Sequence, residues 1–318
     1  MVFFLLMGTA TLLGVGSSIS GAINSFIGRE IGLIRATFLF LSLGTALSGL
    51  LMLGFDDRLP WSGLVDLLIQ RPYLLAPGLL NALMIMVIIR VTALVGTTLT
   101  MAALFSGQML ISLWLDQVGF AGLRVIPITP LRVMAVICLL VGVILLNVER
   151  FGQPPLSPIH VTALPPRLTP PRPTALPVLA VLAVGGLLSG ASSINAALGQ
   201  AAGVFTATLF FLGPGVLLLP LLGLAIAPQA TAADLPPWRP LYLMPGILNV
   251  LYIAGSVVLV PLLGVQTLIS AVFTAKICTG LAIDRCGWLG LPRSPITARR
   301  LLAAGLLVAG VVLSSAPS

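Results

Sequence analysis

Charged side chains are scarce in this chain of 318 residues, where Asp, Glu, Lys and Arg together make up 8%. A soluble domain carries about 25% charged residues, so an ordinary soluble protein is excluded. Acidic residues are rarest, eight against sixteen basic ones. Cysteine is scarce too: Cys138, Cys278 and Cys286 are odd in number and lack zinc-site spacing, which argues against a disulfide framework or a zinc site.

Catalytic motifs are also lacking. The single histidine, His160, lies in a proline-rich segment, so the chain has no Ser/His/Asp set. There is no GxxxxGK[ST] phosphate-binding motif, which argues against ATP-driven transport. The arginines are dispersed between apolar runs, which fits membrane topology better than nucleic-acid binding. The sequence therefore predicts no enzyme, no cofactor, no metal site and no nucleic-acid partner.

What the chain has in abundance is apolar sequence, with 58% hydrophobic residues. A helix crosses the ~30 Å hydrocarbon layer with ~20 residues. Ten apolar stretches approach that length, and the spacers between them are too short for a soluble domain. We therefore predict an all-α integral membrane protein, surrounded by lipid, with ten transmembrane helices at 2–24, 33–55, 72–90, 94–115, 130–148, 176–196, 204–227, 240–257, 265–283 and 301–316.

The chain contains an internal duplication. INSFIGREIGLIRATFLFL at 23–41 aligns with INAALGQAAGVFTATLFFL at 194–212, an offset of 171. PGLLNAL at 77–83 aligns with PGILNVL at 245–251, now at an offset of 168. The second offset also pairs several later residues, namely Phe105 with Phe273, Asp116 with Asp284, and Arg132 with Arg300. The predicted units are a first repeat (1–148), a Pro-rich linker (149–177) and a second repeat (178–318).

Each copy holds five predicted spans, and an odd number inserts the second copy upside down. Loops assigned alternately to the two sides place eleven arginines on one side and four on the other. Cytoplasmic loops collect Arg and Lys, so the arginine-rich side is cytoplasmic. The fold predicted is two inverted five-helix repeats, with the linker in the cytoplasm and both termini extracytoplasmic.

One stretch carries a family resemblance. SGQMLISLWLDQVGFAGLRVIPITPLR at 106–132, partly copied at 274–300, resembles the drug/metabolite transporter superfamily. More narrowly it is similar to the YdcZ-like branch, in its fused ten-helix form, and Asn24 and Asn195 fit that branch. Ser20 and Ala191 stand where the branch often has Gln, and Lys276 replaces the Gln of SGQ. The resemblance implies a solute carrier with a central site between inverted halves, and it supplies no substrate.

The lone lysine is the first candidate for that site. Lys276 and its repeat partner Gln108 lie within predicted spans, and Lys276 precedes Asp284 by eight residues, about 12 Å along a helix. A lysine at that depth faces a cavity as part of a functional site, snorkels to the interface, or is neutral against a helical partner. No Asp or Glu lies at comparable depth, which favours an anionic, zwitterionic or neutral polar solute over a cation.

Two further sets of polar residues repeat within the spans. Asn24 and Asn195 lie near the predicted ends of the first and sixth helices, with Ser20 one turn before Asn24. Each either binds solute, caps a helix end or forms an interhelical hydrogen bond. The other set is a proline-glycine pair followed by asparagine in each half. Proline is expected to kink the helix, and each asparagine either lines a transport site or joins neighbouring helices. These residues are Pro77, Gly78 and Asn81, and Pro245, Gly246 and Asn249.

Taken together, the sequence predicts a secondary transporter of the bacterial inner membrane that moves a small polar, anionic or zwitterionic metabolite by alternating access. A flippase for a lipid-linked metabolite and a non-transporting scaffold or receptor stay open as alternatives. Coupling to protons or sodium, the direction of transport, and the choice between monomer and homodimer also stay open.

Overall fold

The computed structural model describes residues 1–56, 61–95, 97–148, 175–226, 238–286 and 297–315. The regular secondary structure of these ranges is helical. Short 3-10 turns at Pro72–Leu75 and Pro240–Leu243 precede two of the helices. The helices are α1 (Val2–Ile31), α2 (Leu33–Phe55), α3 (Trp61–Gln70), α4 (Ala76–Val95), α5 (Thr97–Val118), α6 (Pro130–Val148), α7 (Ala175–Ala202), α8 (Val204–Ile226), α9 (Met244–Leu263), α10 (Val265–Cys286) and α11 (Ala298–Ser314).

Single glycines separate three pairs of consecutive helices. Gly32, Gly203 and Gly264 adopt φ of 90°, 115° and 83°, a region that glycine enters without the steric cost of a side chain. Gly32 ends α1 and Gly203 ends α7, and the two glycines are repeat partners. A positive φ is incompatible with α-helical geometry, so the backbone conformation at each glycine ends the helix there. Both helices therefore run further than the predicted spans.

Several helices have the length and composition of membrane spans. Five helical segments are long and apolar enough to cross a bilayer: Val2–Gly28, Arg35–Phe55, Leu176–Ala202, Pro240–Leu263 and Val265–Ile283. Three shorter apolar segments are Pro72–Ile85, Pro130–Leu145 and Val204–Leu218. Large apolar side chains such as Leu50 and Leu53 are 70% exposed, as expected for a surface that faces hydrocarbon.

The short helix α3 is not predicted from the sequence, because ten residues are too few to span a bilayer. It is amphipathic. Leu64 is buried in a cluster with Leu198 and Ala202 of α7, whereas Val65 and Ile69 are exposed. Residues 149–174 of the predicted linker lie outside the described residues, and its last three residues begin α7.

The most extensive packing joins helices from different halves of the chain. Helix α5 packs on α7, and α10 packs on α1. Helix α4 packs on α7, and α9 packs on α1. The packing of α10 on α1 is the repeat equivalent of the packing of α5 on α7. The packing of α9 on α1 is likewise the equivalent of that of α4 on α7. The other two main interfaces, α2 with α8 and α6 with α11, each join a helix to its own repeat partner.

Glycine permits the closest of these contacts. A Cβ added to Gly185 of α7 would overlap the carbonyl oxygen of Leu104 in α5. A Cβ added to Gly14 of α1 would overlap the carbonyl oxygen of Val272 in α10. Gly14 is the repeat partner of Gly185, and Val272 is that of Leu104. Small residues let membrane helices approach this closely, so both copies use the same packing device.

The prolines predicted to kink two helices lie in the first turn instead. Helix α4 begins at Ala76 and α9 at Met244, so Pro77 and Pro245 are each the second residue of their helix. An N–H in the first turn has no helical acceptor, so proline removes no hydrogen bond there. The expectation of a mid-helix kink at these positions is corrected: each proline marks the change from a 3-10 turn to an α-helix.

The glycines after these prolines serve helix packing. A Cβ on Gly78 would overlap the carbonyl oxygen of Phe210 in α8. A Cβ on Gly246 would lie 2.8 Å from the side chain of Leu43 in α2. The first turns of α4 and α9 are therefore pressed against α8 and α2 respectively, again with the halves exchanged.

Candidate functional site

Lys276 lies in the middle of α10, ten residues before its end at Cys286, or about 15 Å along the helix. Its Nζ lies 4.9 Å from the centroid of the Tyr252 ring in α9, within the ~6 Å range of a cation–π contact. Among the described residues, no carboxylate lies within ion-pair distance of this ammonium. In the part of the chain that the structure describes, the half-buried Lys276 side chain is thus held by the face of Tyr252.

The backbone at Lys276 is fixed by the neighbouring helix. Ser18 of α1 donates a hydrogen bond of 3.1 Å to the carbonyl oxygen of Lys276. The repeat partners make the same contact, since Ser189 of α7 donates a hydrogen bond of 3.0 Å to the carbonyl oxygen of Gln108. Lys276 and Gln108 therefore occupy equivalent places in two equivalent interfaces.

An aromatic pair lies one helical turn before these two residues. The rings of Phe105 and Phe273, themselves repeat partners, stack with centroids 3.3 Å apart and planes 11° apart, where α5 meets α10. Gln108 and Lys276 each follow one of these phenylalanines by three residues, so they lie one helical turn away. Each of these two residues therefore lies close in sequence to the contact between α5 and α10, and that contact is one the sequence alone does not predict.

Asn24 and Asn195 are interior residues of long helices. Asn24 lies seven residues before the end of α1 and Asn195 seven before the end of α7, so the expectation that they lie at helix ends or cap them is corrected. The Oδ1 atom of each is buried and has no hydrogen-bond partner in the described part of the chain. A buried polar atom without a partner is costly, so each of these oxygens has an unfilled acceptor position.

Other candidates are engaged in helix packing. Asn81 donates a hydrogen bond of 3.4 Å from Nδ2 to the carbonyl oxygen of Phe211 in α8. Ser20 donates one of 3.2 Å to the carbonyl oxygen of Pro245. Asn249 is half-buried in α9. Of the two roles open for Asn81, joining neighbouring helices is the one its contacts support.

The carboxylate of Asp116 has a role that the sequence does not predict. At the end of α5 it forms a buried ion pair with Arg132 of α6. It also accepts hydrogen bonds from the backbone N–H groups of Val265 (2.7 Å) and Gln266 (3.2 Å). The first N–H groups of a helix lack helical acceptors, so Asp116 caps α10 from the other half of the chain.

A sequence signal for this pair does exist. Asp116 and Arg132 recur in the second copy as Asp284 and Arg300, and charged residues kept in both copies of so apolar a chain point to a shared role. The side chain of Asp284 lies outside the described part of the structure. The structure adds the burial, because the side chains of Asp116 and Arg132 are each only 3% exposed.

Two other carboxylates also join the halves. Asp56, after α2, accepts hydrogen bonds from the N–H (2.6 Å) and hydroxyl (3.0 Å) of Thr206, so it caps α8. Glu30, near the end of α1, accepts a 2.6 Å bond from the Tyr242 hydroxyl and pairs with Arg239 at 3.2 Å. Asp56 and Asp116 act at the face where α8 and α10 begin, and Glu30 acts at the opposite face.

A cavity of about 540 Å³ opens between α1, α8 and α9. All the residues that line it are apolar or glycine, and none of the candidate polar residues is among them. We call it the lateral cavity; its walls include Leu12 and Gly16 of α1, Phe205 of α8, and Leu251 and Gly255 of α9. Its chemistry is therefore separate from that of Lys276.

Comparison with known proteins identifies the family. The sequence profile of the family described as "Putative inner membrane exporter, YdcZ" matches residues 5–145 and 176–313, nearly the whole chain. The chain belongs to the YdcZ family. The resemblance to that branch of the drug/metabolite transporter superfamily is confirmed. No curated protein matches the chain.

One solved structure shows the same fold as this YdcZ-family chain. Described only as "Crystal structure of protein", it superposes with a TM-score of 0.67 at 16% identity, covering 98% of this chain and 96% of the other. Similarity at that identity concerns the fold alone. Membership of a membrane exporter family that is not an enzyme family, together with the apolar helices, makes this YdcZ-family chain a multi-pass membrane protein.

Proposed function

We propose that the chain is a secondary transporter that exports a small anionic or zwitterionic metabolite across the inner membrane by alternating access. The observation that carries this proposal is the ammonium of Lys276, held in mid-helix against the ring of Tyr252 without a described carboxylate partner. Ionisable residues inside membrane helices mark substrate or ion pathways. The export direction follows the description of the family.

The proposed architecture is ten spans in two inverted halves, with the site near their shared axis. The exchanged packing of α5 on α7 and of α10 on α1 supports it, as do the equivalent hydrogen bonds of Ser18 and Ser189. Transporters with inverted repeats bind substrate near the midplane, where the halves meet. Lys276 and Gln108 each follow by three residues a member of the phenylalanine pair where α5 meets α10, which supports a site there. The eleven-to-four arginine bias favours extracytoplasmic termini and a cytoplasmic linker.

Each residue of this site binds a different chemical group of the solute. The Lys276 ammonium binds a carboxylate or another anionic group through a charge-assisted hydrogen bond. The orphan oxygens of Asn24 and Asn195 accept hydrogen bonds from donor groups such as an ammonium or a hydroxyl. Gln108 offers a neutral amide where the second copy has the charge, so a solute with one anionic end is bound in a single orientation.

Alternating access requires that contacts between the halves break on one face at a time. The three carboxylates that bridge the halves are suited to this role. Opening the face where α8 and α10 begin must release Asp56 from Thr206 and Asp116 from the start of α10. Opening the opposite face must release Glu30 from Arg239 and Tyr242. Proton or sodium coupling belongs to the same proposal, and collapsing each gradient separately identifies the coupling ion.

Counterflow in proteoliposomes tests the function. Labelled small carboxylates, zwitterions and organic cations are compared for wild type, Lys276→Gln and Lys276→Arg. The Gln variant carries the residue of the first copy. Loss of a hydrogen bond to a charged group costs about 1.5–3 kcal/mol, so we expect carboxylate transport to fall by about 10- to 150-fold.

Arg285→Gln is the matched control, because Arg285 lies exposed in the last turn of the same helix and should leave transport unchanged. Lys276→Arg keeps the charge and should retain part of the activity. Robust transport of organic cations that is lost in Lys276→Gln would count against an anionic or zwitterionic substrate. An absence of counterflow for every solute would favour a non-transporting scaffold or receptor.

A flippase for a lipid-linked metabolite is the second candidate. It needs an opening toward the bilayer, and the lateral cavity between α1, α8 and α9 supports it. A flippase moves labelled lipid-linked substrate between leaflets and shows no counterflow of water-soluble metabolites. Leaflet-specific quenching of a labelled polyprenyl-linked sugar therefore separates it from the metabolite exporter.

A further inference from the structure

The lateral cavity is open toward the surrounding bilayer. Among its lining residues, Leu12 is 70% exposed, Leu251 56% and Val258 47%. These residues continue the apolar surface that a multi-pass membrane protein presents to lipid. The cavity is therefore continuous with the lipid interface rather than with the polar centre around Lys276.

Two glycines in the lining of the cavity stand where the other copy has larger residues. Gly16 of α1 corresponds to Leu187 of α7, and Gly255 of α9 corresponds to Val87 of α4. In the equivalent packing of α4 on α7, Val87 is packed against a hydrophobic cluster that includes Val181. The packing of α9 on α1 lacks both of these side chains.

There is room for a side chain or a ligand beside Gly16. A Cβ added there would meet a single neighbouring side chain, that of Leu248, at an ordinary contact distance of 3.7 Å. The cavity volume of about 540 Å³ falls within the range of about 300–1,000 Å³ typical of small-molecule sites. Gly16 thus borders a space of ligand size, whereas a Cβ added to Gly255 would lie 2.5 Å from the side chain of Leu13, which also lines the cavity.

We infer that the lateral cavity binds one acyl chain of a membrane phospholipid. Water needs two to four polar partners in a cavity, and the lining side chains supply none. An uncharged lining matches a hydrocarbon chain and rejects a headgroup, and acyl chains are the apolar molecules in contact with this surface. The acyl chain enters from the leaflet in which α8 begins, since Val204 and Phe205 at the start of α8 form part of the cavity wall. This site does not depend on the proposed transport function.

Photo-crosslinking tests the site. The full chain is reconstituted in vesicles of phosphatidylethanolamine and phosphatidylglycerol with a trace of phosphatidylcholine that carries a diazirine in mid-chain. Labelled residues are mapped by mass spectrometry. We expect labelling at Leu12 and Leu251 to exceed that at Leu50 and Leu53 of α2, which are at least as exposed but lie outside the cavity.

Filling the cavity with the residues of the other copy provides the decisive variants. In the double variant Gly16→Leu with Gly255→Val, labelling at Leu12 and Leu251 should fall to the level seen at Leu50. Gly21→Leu is the control on the same helix, because Gly21 is exposed, has no neighbour within 4 Å of an added Cβ and lies outside the cavity. Its labelling should equal that of wild type.

A second variant keeps the test valid if the double variant misfolds. Gly16→Ala introduces only an ordinary contact and should lower the labelling partially. Equal labelling of cavity and α2 residues in wild type overturns the inference, as does undiminished labelling in a folded, filled variant. Labelling by a free diazirine amphiphile but not by the phospholipid also overturns it, because the occupant is then a solute tail. Equal labelling in vesicles of phosphatidylcholine alone supports binding through the acyl chain.

Discussion

The hydroxyl of Ser18 in α1 donates a 3.1 Å hydrogen bond to the carbonyl oxygen of Lys276 in α10, across 258 residues of sequence. Its repeat partner Ser189 makes the same bond to Gln108. The interface of α1 with α10 thus fixes the backbone of the lone lysine, and the equivalent interface of α7 with α5 fixes that of a glutamine. The two halves share this contact and differ in the residue that accepts it.

Removing either serine hydroxyl should weaken both interfaces to a similar, small extent. Interhelical hydrogen bonds in membranes contribute about 0.6 kcal/mol on average, so Ser18→Ala and Ser189→Ala should each lower the free energy of unfolding by about that amount. Reversible unfolding in mixed micelles measures it. Thr9→Ala is the control, because the exposed Thr9 hydroxyl bonds only to Leu5 of its own helix. A large loss in one serine variant alone would contradict the equivalence of the interfaces.

Gly185→Ala should be strongly destabilising, because the new Cβ would overlap the Leu104 carbonyl oxygen and force α5 and α7 apart. Overpacking of this kind costs about 1–3 kcal/mol or more. Gly190→Ala in the same helix is the matched control, since no atom lies within 4 Å of a Cβ added there. Thermal unfolding in detergent, followed by size-exclusion chromatography, compares the two. Equal melting temperatures would show that the two helices are not in close contact.

Removing one member of the buried Asp116–Arg132 pair should cost more than removing both. Asp116→Leu leaves the Arg132 charge buried without its partner, at a cost of about 3–5 kcal/mol. The double variant Asp116→Leu with Arg132→Met removes both charges and should recover most of that loss. The residual deficit should be about 1 kcal/mol for the lost cap of α10. Equilibrium unfolding of wild type, both single variants and the double variant completes the cycle, and additive losses would contradict coupling.

The native cysteines test the proposed orientation. Cys286, the last residue of α10, is exposed and should lie on the cytoplasmic side. A membrane-impermeant maleimide should therefore label it only after the inner membrane is permeabilised. Cys278 is exposed within the apolar helix and should react poorly in lipid. Arg124→Cys in a Cys286→Ser background supplies the opposite case and should be labelled without permeabilisation. The reverse pattern would invert the topology.

Most helix positions could be predicted from the sequence, because a helix that crosses hydrocarbon needs an uninterrupted run of apolar residues. Such a run is evident from the sequence alone. The predicted spans 33–55 and 130–148 coincide with α2 and α6. The ends of α1 and α7 could not be read in this way. Asn24 and Asn195 resemble the polar ends of spans. The helices end instead at Gly32 and Gly203, whose φ angles are positive.

By itself the sequence determined the family, the duplication, and the residues that stand out against an apolar background, Lys276 above all. Only the tertiary structure decided what each of these residues contacts. It paired Lys276 with Tyr252, assigned Asn81 to helix packing, and brought Asp116 to the start of α10. These contacts depend on which helices lie side by side and how closely glycine lets them approach. Apolar periodicity carries little of that information, since every face of such helices is hydrophobic.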